Sequence, residues 1–118
     1  PLNKFSMYTL LLFISAFFLT LPPEDCSVFY DKSLKQLSVN GELTKKESLT
    51  DYYIFTVKNK TGETIPIKIL KTNTGIKLYM FAKEKSLIIK VKNEKVIRVA
   101  VPLSNGGYTV QIFPDLCE

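Results

Sequence analysis

From Cys26 onward, apolar residues recur at every second position, and this alternation restricts the chain to half-buried strands more tightly than any other feature. Tyr53, Phe55 and Val57 share one face, as do Ile65, Ile67 and Ile69. Ile76, Leu78 and Met80 follow, then Leu87, Ile89 and Val91, then Ile97, Val99 and Val101, and finally Tyr108, Val110 and Ile112. The intervening positions carry Lys68, Lys77, Lys90, Lys92, Arg98, Thr109 and Gln111, as on the wet side of an antiparallel sheet. These lysines therefore read as surface, and Met80 as core filler.

Turn chemistry separates the runs. Asn40-Gly41, between Leu37-Ser38-Val39 and Glu42-Leu43-Thr44, predicts a tight hairpin, because a type I′ turn needs positive φ at both central residues. Asn59-Lys60-Thr61-Gly62, Thr72-Asn73-Thr74-Gly75, Lys92-Asn93-Glu94-Lys95 and Ser104-Asn105-Gly106-Gly107 mark further turns, and Pro102 closes its strand. About seven strands in about 90 residues predict an all-β fold, a seven-stranded antiparallel immunoglobulin-like sandwich. A small closed barrel is the alternative, but the regular glycines that turn barrel corners are missing. The expected core is Phe55, Val57, Ile67, Ile69, Leu78, Leu87, Ile89, Val99, Val110 and Ile112.

Residues 5–21 are almost entirely apolar, broken only by Ser6, Thr9, Ser15 and Thr20. At 1.5 Å per residue this run sits at the lower edge of what spans a hydrocarbon core of about 30 Å. Lys4 precedes it and Pro22-Pro23-Glu24-Asp25 follows, so the positive-inside tendency places everything beyond it outside the cytoplasm. The reading is one hydrophobic membrane helix or signal segment in residues 1–23 and one β domain in residues 24–118. A buried strand pair is a third reading of the same run. Bulky Leu19 and Leu21 at the small-residue positions argue against cleavage. The first residue is Pro1, so the run also fits the last membrane helix of a longer protein.

The residue types offer little for catalysis or ligand binding. No histidine is present, which removes the commonest general base and metal ligand. The acidic residues fall mostly in expected turns with no spacing that pairs them, and neither a phosphate-binding glycine loop nor a nucleophile elbow occurs. No catalytic, cofactor-binding or metal site is expected, and the chain does not read as an enzyme. The formal charge of +5 is spread along the chain and includes a single arginine, Arg98, which argues against nucleic acid as a partner. Asn59-Lys60-Thr61 matches the N-glycosylation acceptor, which matters only in an exported eukaryotic protein. Cys26 and Cys117 bracket the domain; outside the cytoplasm they form a candidate disulfide, with free thiols or a soft-metal site as alternatives.

One stretch carries a family resemblance. Residues 51–67, with the strand Tyr53-Ile54-Phe55-Thr56-Val57, the turn Asn59-Lys60-Thr61-Gly62 and the strand Thr64-Ile65-Pro66-Ile67, are similar to the opening strands of the immunoglobulin-like domain that ends cytochrome oxidase accessory proteins of the FixG/CcoG type. Val28-Phe29-Tyr30-Asp31 resembles the link after that family's last membrane helix, and Val99-Ala100-Val101-Pro102 its penultimate strand. The resemblance implies the exported domain of a respiratory oxidase assembly factor. The family's Cys-x-x-Cys-x-x-Cys iron-sulfur motif does not occur, so redox chemistry is not carried over.

The functional expectation is a membrane-tethered interaction or scaffold domain outside the cytoplasm, periplasmic or extracellular, anchored through residues 5–21 and binding a protein partner. The alternative is a metal- or redox-handling accessory protein using Cys26 and Cys117.

Overall fold

The computed structural model describes residues 25–118. Most of the alternating segments form strands: β1 (Val39–Ser48), β2 (Tyr52–Asn59), β3 (Thr64–Leu70), β4 (Leu87–Lys90), β5 (Ile97–Pro102) and β6 (Tyr108–Phe113). Among the described residues two short helices accompany them, α1 (Cys26–Ser33) before β1 and α2 (Asn73–Phe81) between β3 and β4. The strands join in one sheet in the order β3-β2-β1-β4-β5-β6, with every neighbouring pair antiparallel. Two three-stranded meanders thus meet at β1 and β4.

The mostly β, antiparallel expectation holds, and three parts of it are corrected. Among the described residues the strands number six rather than seven, and they hydrogen-bond into one sheet rather than two. The segment carrying Ile76, Leu78 and Met80 is helix α2, not a strand. The apolar run at 5–21, expected to be a membrane helix, lies outside the described residues. Among the described residues no helix is long and apolar enough to cross a membrane.

Both helices have local causes. Asp25 caps α1 by accepting from the Ser27 N–H at 3.1 Å, and Tyr30 and Leu34, four residues apart, enter the core from one face. Thr72 caps α2, its hydroxyl accepting from the Gly75 N–H at 3.0 Å. Gly75, Leu78 and Ala82 form the buried stripe at helical spacing. A Cβ on Gly75 would collide with the carbonyl oxygen of Leu70, so glycine lets the helix lie close against the end of β3. Met80, on the opposite side, is 73% exposed, which corrects its expected place in the core.

One face of the sheet is dry. Leu43, Phe55, Val57, Ile67, Ile69, Ile97 and Val99 line it, joined by Tyr30, Leu34, Leu78 and Ala82 from the helical segments. Of the expected core, Leu87 and Ile89 are only half-buried, and Val110 and Ile112 are exposed. The register of β4 is one residue from expectation, so that Ile88 and Lys90 point inward. Leu87-Ile88-Ile89 is an unbroken apolar run, and alternation cannot set its phase. In β6 the inward anchor is Phe113, and the alternating row faces out.

The Asn40-Gly41 hairpin is also corrected, since both residues lie within β1. A Cβ on Gly41 would strike the Lys58 carbonyl, so this glycine serves close packing of β1 on β2 and not a turn. Of the other expected glycine turns, those at residues 59–62 and 104–107 form, whereas Thr72-Asn73-Thr74-Gly75 is instead the cap and first turn of α2. Gly62 and Gly106 have φ of +89°, and the Asn59 side chain accepts from the Thr61 N–H at 3.1 Å and the Glu63 N–H at 3.0 Å.

Candidate interaction surface

Cys26, at the start of α1, and Cys117, one residue from the chain's last, form a disulfide with their Cα atoms 5.7 Å apart. The closing segment is held beyond that bond. The Thr72 hydroxyl donates to the Leu116 carbonyl at 2.6 Å, and the Thr74 N–H to the Glu118 carbonyl at 2.8 Å. The bridge therefore ties the two ends of the described chain to the caps of both helices. Nearby, Asp31 pairs with Lys95 at 2.9 Å, and that hydrogen bond lowers the Asp31 pKa.

Tyr30 links α1 to β3, its hydroxyl oxygen accepting from the Leu70 N–H at 2.8 Å. Burial pushes its pKa up to about 12, against a smaller opposite effect of that hydrogen bond. A folded pKa above the ordinary value of about 10 means that the contribution is complete below about pH 10 and is lost as pH rises toward 12. Urea melts are expected to show stability falling across that window by about 2 to 3 kcal/mol more in the unaltered protein than in Tyr30→Phe. Lys46 and Lys90 shift downward, so the difference between the two profiles isolates Tyr30. Parallel profiles would contradict this assignment.

Lys90, expected at the surface, is 1% exposed. Its stem lies on the dry face, while its ammonium donates to the carbonyls of Lys35 at 2.8 Å and Leu37 at 2.6 Å. Burial lowers its pKa, partly offset by Glu94. It staples the α1–β1 link to the sheet. Lys68 and Lys77 are exposed as expected.

A bulge between Leu43 and Lys45 shifts the phase of β1 and brings Lys46 opposite Phe55. The Lys46 ammonium lies 4.4 Å from the centre of the Tyr79 ring and donates to the Tyr79 carbonyl at 2.8 Å. Tyr79 stacks on Tyr53 at 4.1 Å, and Lys71 lies 5.1 Å from the Tyr53 ring. Burial, then repulsion from Lys83, lowers the Lys46 pKa. The cluster closes the rim of the core beside α2.

The outer face differs between the two ends of the sheet. Register places Leu87, Ala100 and Val110 in one row across β4, β5 and β6, and Ile89, Arg98 and Ile112 in the next. Tyr108 sits opposite Pro102. Tyr108, Val110 and Ile112 are 53%, 64% and 52% exposed. They lie on a strand with no charged residue, whose far edge has no strand partner among the described residues. At the opposite end, β3 carries Pro66, which lacks an N–H, and the exposed Lys68, two common guards of an open edge. Sequence reasoning missed this surface because it assigned the apolar row of β6 to the core.

Between the two ends, an open groove of about 500 Å³ is lined by Asn40, Glu42, Thr44, Lys58, Lys60 and Leu87, among others. Among the described residues no group of three or more acidic, Cys or His side chains is arranged to hold a metal ion.

Searches of family models, curated proteins and solved structures each returned no match to this chain.

Proposed function

We propose that this chain is an interaction domain outside the cytoplasm, tethered to a membrane through residues 5–21, that binds protein through the β6 end of its sheet. The observation that carries this reading is the row of Tyr108, Val110 and Ile112, exposed on an uncharged and unguarded edge strand. Open apolar edges invite strand pairing, and the guarded β3 edge makes the contrast internal to the molecule. The Cys26–Cys117 bridge supports an oxidising compartment. The resemblance at residues 51–67 supports a narrower form of the same reading, the exported domain of a respiratory oxidase assembly factor.

The test is photocrosslinking in the source membrane, with a reactive side chain placed at Val110 or, for comparison, at Lys68. Adducts with protein are expected from position 110 and few from position 68. Equal yields would overturn the choice of surface. A reporter fused after Glu118 and active only in the cytoplasm would overturn the location.

A further inference from the structure

The strand β6 is self-complementary. A twofold axis perpendicular to a sheet keeps inner and outer faces aligned only when the paired residues have numbers of the same parity, because side chains alternate. With the axis at Val110, Val110 faces Val110, Tyr108 of one copy faces Ile112 of the other, and Thr109 faces Gln111. Apolar residues meet apolar residues on the outer face, and polar residues meet polar ones on the inner face. Such cross-strand pairs are the stabilising unit of a sheet.

Charge at β6 does not oppose a second copy as the occupant. The chain carries +5 overall, so two copies repel, yet β6 has no charged residue and sets no like charges opposite one another. The same operation at β3 would bring Lys68 against Lys68 and lose a donor at Pro66. The seam is also bounded, by the turn at residues 104–107 on one side and Pro114 on the other. We propose that two copies of this chain join β6 to β6, antiparallel about Val110, to make one continuous sheet. This rests on the reading of the β6 end as the protein-binding surface. Among the described strands, pairing at β6 leaves the guarded β3 edges outside, so the assembly closes as a dimer and does not extend into a fibre.

The experiment uses the full chain in detergent, followed by sedimentation over a wide concentration range, together with oxidative crosslinking of single-cysteine additions. A dimer is expected at high concentration, and Val110→Lys should weaken it at least tenfold with the circular dichroism spectrum unchanged. Lys68→Ser should leave it intact. Register is read separately: Val110→Cys should crosslink to its own copy, whereas Thr109→Cys should do so poorly because it faces Gln111. A monomer at every concentration overturns the proposal, as does a dimer indifferent to Val110→Lys. If the chain stays monomeric while position 110 still crosslinks to other proteins in the membrane, the self-pairing falls and the β6 surface stands.

Discussion

Removing the Cys26–Cys117 bridge, by reduction or by combining Cys26→Ala with Cys117→Ala, is expected to cost about 4 to 5 kcal/mol of stability. The bond joins residues 91 apart in sequence, and in the chain-entropy account a loop of that size strongly restricts the unfolded ensemble. A domain of this length has only about 5 to 15 kcal/mol in total, so the loss approaches the whole. The closing segment should loosen first, because Leu116 and the contacts of Thr72 and Thr74 depend on its position. Urea unfolding with and without reductant measures the effect. A midpoint unmoved by reduction would show that the ends are held without the bridge.

The second large effect is at Lys90. Lys90→Ala removes a buried stem and both hydrogen bonds to the α1–β1 link. The Lys35 carbonyl keeps the Asn93 N–H at 2.7 Å, so the Leu37 carbonyl carries most of the loss. Cavity and unpaired acceptor together should cost about 3 kcal/mol. Lys90→Met restores the stem without the ammonium and should cost about 1 to 2 kcal/mol. Lys68→Ser, on the open side of β3, should stay within about 0.5 kcal/mol. Chemical denaturation of the three variants gives the order directly. Equal stability of Lys90→Ala and Lys68→Ser would return Lys90 to the surface.

Lys90 also shows where the sequence was legible and where it was not. Alternation placed β2, β3 and β5 correctly, because Tyr53-Phe55-Val57, Ile67-Ile69 and Ile97-Val99-Val101 each have one apolar and one mixed face. It failed at β4, where three apolar residues in succession leave the phase open and a lysine reaches inward to backbone carbonyls. It failed again at β6, where a regular apolar row faces solvent. The helices were obscured for another reason. Tyr30 and Leu34, and Gly75, Leu78 and Ala82, have helical spacing, but each helix is short and Ile76-Leu78-Met80 also reads with period two. The cap at Thr72 was the available signal for α2. The cysteine pair was legible as a candidate because both ends of a small domain can meet. The proposed interaction surface was not, since its residues look the same in sequence whether they face the core or the solvent.

Backbone hydrogen exchange reads directly whether the β6 end is engaged, comparing the full chain in its source membrane with the same chain diluted in detergent. Engagement of the β6 end predicts that amides of Tyr108–Phe113 exchange more slowly in the membrane, while those of Thr64–Leu70 exchange equally in both. Identical exchange of β6 in the two settings, or slowing confined to β3, would contradict it.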